Sequence, residues 1–134
     1  MFGINEEDQR KWMDQNRGAV QKHVDGPLLA YGACFRTDSD GKAGGLPRDF
    51  VVTVTDDRIQ AFRYRARGRS LKLGDEVAVW DRDTIVASAE ETQTTRRVTL
   101  VCPGDEERVV FDMPKASISD ELIRALGAAV PAYR

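Results

Sequence analysis

Apolar residues at positions 12, 13, 19, 20 and 24 (Trp12, Met13, Ala19, Val20, Val24) recur at helical spacing, with His23 on the same side. Glu6, Asp8, Arg10, Asp14, Arg17 and Lys22 fall mostly on the other side. This pattern predicts an amphipathic helix over residues 5–24. Asn5 is a fitting N-cap, acidic residues in the first turn complement the helix dipole, and Asp25-Gly26-Pro27 stops the helix. Gly18 inside it costs about 1 kcal/mol relative to alanine, so the helix needs packing to persist. The stripe Trp12, Met13, Val20 and Val24 is expected to supply that packing, against the rest of this chain or against another.

After Pro27 the period changes to two and stays there for almost ninety residues. Strands are expected at 28–36, 50–55, 58–65, 77–80, 84–90, 97–102 and 108–113. Residues 37–48, with Asp38, Asp40, Gly41, Gly44, Gly45 and Pro47, read as a long loop, and Asp56-Asp57 as a tight turn. Phe50, Val52 and Val54 share one face, as do Val98, Leu100 and Cys102, and Val109, Phe111 and Met113. Pro114 ends the last strand. Ser119-Asp120-Glu121 then opens a second helix over 119–130, with Ile118 and Ile123 as a hydrophobic staple and Leu122, Ile123, Leu126 and Val130 as its apolar stripe. The whole, 1–134, reads as one mainly β domain: a bent antiparallel sheet or open barrel of seven strands (28–113), a C-terminal helix capping one end, and an added N-terminal helix.

Composition narrows the function. The 134 residues carry 20 Lys and Arg against 22 Asp and Glu, a net charge of -2, so general affinity for polyanions is excluded and any such affinity must be local. One histidine and two distant cysteines, Cys34 and Cys102, argue against a zinc-built or disulfide-built domain. No apolar run reaches the length of a membrane span, and the charged start is unlike a signal peptide. A cytoplasmic chain without cofactors is expected.

The run Val52-Thr53-Val54-Thr55-Asp56-Asp57-Arg58-Ile59 resembles the turn between the second and third strands of bacterial PH-like and GRAM-like domains, and the element order resembles the pleckstrin-homology (PH) superfold. The resemblance implies a non-enzymatic platform for phosphoinositides, peptides or proteins. In that superfold the phosphoinositide signature places basic residues late in the first strand and within the second. This chain has Arg36, but its second strand has no basic residue, and Asp38, Asp40 and Asp49 oppose Lys42 and Arg48.

One charge feature stands out. Residues 58–74 hold Arg58, Arg63, Arg65, Arg67, Arg69 and Lys72 and no acid. Strand alternation puts Arg63, Arg65 and Arg67 on one face, opposite Phe62 and Tyr64. With Arg69 these form the candidate binding site, because guanidinium groups fork onto paired anionic oxygens. The acidic runs around Asp75, Asp81, Asp83, Glu90 and Glu91 could neutralise the stripe, leaving a merely solvated strand. Nucleic acid is a poor occupant, since Phe62 and Tyr64 belong to the core instead of offering stacking surfaces.

Other motifs carry less. Asp38-Ser39-Asp40-Gly41 opens like a calcium loop but lacks the closing Glu, and reads as a polar turn. His23 has no ligand partner at helical spacing, no acid pair among Asp81, Asp83, Glu90 and Glu91 is singled out for catalysis, and Trp12 and Trp80 read as core anchors. The expected function is therefore an interaction module for a protein partner. Anionic lipid held weakly by the arginine stripe is one alternative, and a small-ligand carrier or enzyme with a barrel pocket is another.

Overall fold

The turn Asp56-Asp57 folds β2 (Asp49–Val54) back on β3 (Arg58–Arg67), with the Thr55 amide donating to the Arg58 carbonyl at 2.9 Å. Similar antiparallel steps join β1 (Ala30–Phe35), β4 (Ser70–Asp81), β5 (Val86–Glu91), β6 (Thr95–Val101) and β7 (Arg108–Pro114) into one sheet of order β4-β3-β2-β1-β7-β6-β5. The computed structural model describes residues 6–36, 46–104 and 108–131. Its two helices are α1 (Glu6–Gln21) and α2 (Asp120–Ala125), the latter preceded by a 3-10 turn, Ser117–Ser119.

The sheet buries apolar residues on both faces. On the inner face Phe50, Val52, Val54, Ile59 and Ala61 meet Val98, Leu100, Phe111 and Met113 from the second half of the sheet, with Leu122, Ile123 and Leu126 closing the end. Phe50 and Phe111 meet edge to face, ring centroids 5.5 Å apart. On the outer face Val20 and Val24 lie on Tyr31, Val51, Phe62, Leu71 and Leu73, with Trp12, Met13 and Tyr64 packed at the margin. The expected helical stripe thus finds its own sheet, and β2, covered on both sides, is buried from Phe50 to its end.

Several boundaries differ from the sequence expectation. α1 stops at Gln21, not at residue 24, because the Gln21 side chain leaves the helical pattern to clamp the exit: its Nε2 donates to the Gly26 carbonyl at 2.7 Å and its Oε1 accepts the Leu28 amide at 2.8 Å. β4 has twelve residues, where only 77–80 was expected. Its first half alternates Leu71 and Leu73, buried under α1, with exposed Lys72 and Gly74, and the polar members masked the pattern. Cys102 falls just beyond β6. The last helix ends at Ala125. Gly127, at φ +92, closes it in a Schellman arrangement, with the Gly127 amide bonded to the Arg124 carbonyl at 2.9 Å and the Ala128 amide to that of Ile123 at 3.2 Å. Ser119 does not cap α2 through its side chain; its hydroxyl donates to the Pro114 carbonyl at 2.7 Å.

One buried charge anchors α2. Arg96 is fully buried; its Nε donates to Glu91 Oε1 at 3.0 Å, its Nη1 meets Asp120 Oδ1, and Lys115 Nζ lies 3.6 Å from Glu91 Oε2. The β5–β6 hairpin and the start of α2 are thereby held in one ionic cluster.

Candidate functional site

β3 runs to Arg67 and turns through Gly68 and Arg69 into β4, with Arg67 paired to Ser70. Gly68 takes φ +55, a backbone region open to glycine at no steric cost, which makes the two-residue turn possible. Ile59 and Ala61 belong to the inner core, and Phe62 and Tyr64 to the outer cluster. By the same alternation Arg63, Arg65 and Arg67 continue the inner face past the end of its apolar core. All three are exposed.

Register places this stripe. Val51 pairs with Phe62, so residues before Val51 in β2 lie beside residues after Phe62 in β3. The stripe therefore shares its end of the sheet with the β1–β2 connection, where the Arg36 amide donates to the Arg48 carbonyl at 2.9 Å. The calcium-like run 38–41 and Lys42 lie outside the described residues. Across the hairpin Arg65 stands directly opposite Lys72, so Lys72 joins the stripe. Its place was not legible because the strand containing it was not expected. Two register shifts in the β3–β4 ladder lie between Ala61 and Tyr64, next to Arg63.

Most of the acids that could have neutralised the stripe are elsewhere, but Asp75 and Glu76 lie beside it, in the irregular stretch of β4 that faces Phe62 to Tyr64, with Glu76 accepting from Gln60 Nε2. Asp81 pairs with Arg58 at the other end of the hairpin, Glu90 stands opposite Arg97, and Glu91 is buried against Arg96. Among the described residues, no ion pair involves Arg63, Arg65, Arg67 or Arg69; the cations that are paired are Lys11, Arg17, Arg58, Arg96, Arg97 and Lys115.

Arg69 departs from the expected stripe. It sits in the turn, and it lines a groove of 680 Å³ between α1, β1 and the 3-10 turn, together with Lys11, Trp12, Met13, Tyr31 and Leu122. The Tyr31 hydroxyl donates to the Met13 carbonyl, and burial pushes its pKa up to about 12. Tyr64 is raised as well, by burial first and then by the nearby Asp49 charge. Cys34 is buried in the inner core and its thiol is pushed far up by burial, so it acts as a small apolar residue. Trp80 is half-buried against the inner core, as expected of an anchor. His23 is exposed and sits edge-on to Phe62. Among the described residues no helix is long and apolar enough to cross a membrane.

Sequence reading missed Asn16 and Arg96, both buried polar residues that hold elements together. Asn16 lies on the apolar side of α1, between Met13 and Val20, and a lone amide there was the available signal.

No protein-family model matches the sequence, and no curated protein matches it. Solved structures do resemble it. A structure of autoinhibited Vav1 superposes with a TM-score of 0.51 over 90% of this chain at 10% identity. The DH/PH domains of p115-RhoGEF superpose with a TM-score of 0.45 over 91% at 14% identity. The chain spans 23% and 40% of the lengths of those two chains. Seven antiparallel strands in a bent sheet, with a C-terminal helix over one end and an added N-terminal helix, make the fold PH-like.

Proposed function

We propose that this chain is a non-enzymatic interaction module of a bacterial cytoplasm, and that it binds an acidic segment of a protein partner through Arg63, Arg65 and Arg67, with Lys72 beside them and Arg69 at the turn. The supporting observation is the exposed, unneutralised stripe on one face of the β3–β4 hairpin. Like charges directly opposite on paired strands, such as Arg65 and Lys72, destabilise a hairpin, and a bound anion relieves that repulsion. Arginine adds geometric selectivity, since its fork matches a carboxylate.

A protein is favoured over a membrane because, among the described residues, no large exposed hydrophobic side chain stands beside Arg63, Arg65 and Arg67 to insert. The exposed large hydrophobics among the described residues are Val79 and Val86, neither of them on the tip of the hairpin.

Fluorescence anisotropy with a labelled hepta-glutamate peptide, beside co-sedimentation with phosphatidylserine vesicles, tests the reading. Peptide binding should weaken with salt, and Arg65→Glu/Arg67→Glu should weaken it about tenfold, mostly through the association rate, without lowering the thermal midpoint, since Glu at position 65 would face Lys72. Vesicle binding without peptide binding would replace the protein partner by lipid. Peptide binding unchanged in the double variant would leave the stripe a solvated surface.

A further inference from the structure

β1 and β7 share a single paired position, Phe35 with Asp112, so the two halves of the sheet part company toward the start of β1. The groove beside α1 opens over that divergence. Its volume of 680 Å³ is in the range of sites that hold small molecules. Its lining is mainly apolar: Trp12 and Met13 from α1, Tyr31 from β1, and Ile118 and Leu122 from the C-terminal segment. Trp12 and Met13 remain only partly buried, and Tyr31 has its hydroxyl engaged with Met13 and offers its ring.

Beside the neutral polar Gln9, Gln15 and Ser119, the charged groups at this groove are few and unbalanced. Lys11 and Arg69 face one carboxylate, Asp8. Lys11 is 3.7 Å from Glu7 with both side chains more than two-thirds exposed, a pair of little strength. Arg69 has no ion pair among the described residues, and its main chain is fixed by the Asn16 side chain, whose Nδ2 donates to the Arg69 carbonyl at 3.0 Å. The structure thus sets a partly exposed apolar surface beside two cations, one of them on a pinned turn.

We propose that this groove binds a small amphipathic anion, its aliphatic or aromatic body on Trp12, Met13, Ile118 and Leu122 and its carboxylate or similar group at Lys11 and Arg69. The site shares Arg69 with the proposed partner surface but none of Arg63, Arg65 and Arg67, which do not line it.

Trp12 lines the groove and the other tryptophan, Trp80, does not, so Trp80→Phe leaves a single reporter at the site. The full-length chain, unaltered for calorimetry and as Trp80→Phe for emission, is titrated with submicellar dodecanoate and with dodecanol. Dodecanoate should bind saturably by calorimetry and shift Trp12 emission over the same concentrations. Dodecanol should bind about fivefold more weakly, the size of one exposed charge contact, and Lys11→Gln/Arg69→Gln should remove that difference. Both substituted side chains are exposed, so the fold is retained. No saturable binding of dodecanoate, binding that leaves Trp12 emission unmoved, equal affinity for the alcohol, or a preference that survives the double variant would each overturn the proposal.

Discussion

The Leu71 amide donates to Asn16 Oδ1 at 2.9 Å, while Asn16 Nδ2 donates to the Arg69 carbonyl at 3.0 Å. β4 is an edge strand, and these backbone groups have no further strand to pair with. Asn16 therefore substitutes for one on the stretch that α1 covers, which docks the helix in a single register.

Asn16→Ala should destabilise the fold by about 1–3 kcal/mol, because two long-range hydrogen bonds vanish and a buried amide loses its acceptor. Urea denaturation measures the loss, and exchange of the Leu71 amide should accelerate more than exchange in β6. Asn16→Asp keeps the acceptor but loses the donor to Arg69, so it should rescue only part of the stability.

A Cβ built on Gly32 would lie 2.9 Å from Leu122 Cδ2, so the bare position lets α2 seat closely on β1 without Leu122 having to shift. Gly32→Ala should cost about 1 kcal/mol, at the low end for overpacking because the clashing atom is a side-chain methyl. The shorter side chain in Leu122→Val should relieve that clash. In a double-mutant cycle by thermal denaturation, the combined loss should be smaller than the sum of the two single losses.

The ionic cluster at Arg96 makes its partners sensitive to removal. Glu91→Ala leaves a fully buried guanidinium with Asp120 as its one remaining carboxylate partner and should cost about 3 kcal/mol, the low end for breaking a buried pair. Arg96→Met removes the charge along with its desolvation penalty and should cost less than Glu91→Ala. Chemical denaturation of both variants checks that order.

At alkaline pH, Tyr31 contributes a stability term whose sign follows from its raised pKa. The folded state favours the neutral phenol, so the contribution is fully present below the ordinary value of 10.0 and is lost as pH rises through about 12. Tyr31→Phe should flatten this alkaline slope while losing the hydrogen bond to Met13. In absorbance titration, Tyr31 and Tyr64 should both ionise later than free tyrosine.

The same burial predicts thiol behaviour. Both cysteines are free, with Cys34 buried and Cys102 partly exposed. A thiol reagent should label Cys102 in the native chain and reach Cys34 only after unfolding.

Local periodicity was enough to read the elements whose burial follows one face. Val98 and Leu100, Val109 and Phe111, and the stripe Leu122, Ile123 and Leu126 point to the core as their spacing requires, because side-chain direction in a strand or helix is set by the backbone repeat. The Asp56-Asp57 turn was legible for the same local reason. The arginine stripe was legible as charge, and its common face followed from strand alternation. Tertiary structure decided the rest. Whether acidic runs would fold onto those arginines depended on strand register, which pairs Asp81 with Arg58 and sends Glu91 inward to Arg96. That Lys72 faces Arg65, that Arg69 turns toward α1, and that Asn16 serves an edge strand more than fifty residues away are relationships between segments distant in the chain. A one-dimensional pattern specifies which way a side chain points from its own element, and only packing specifies what it meets there.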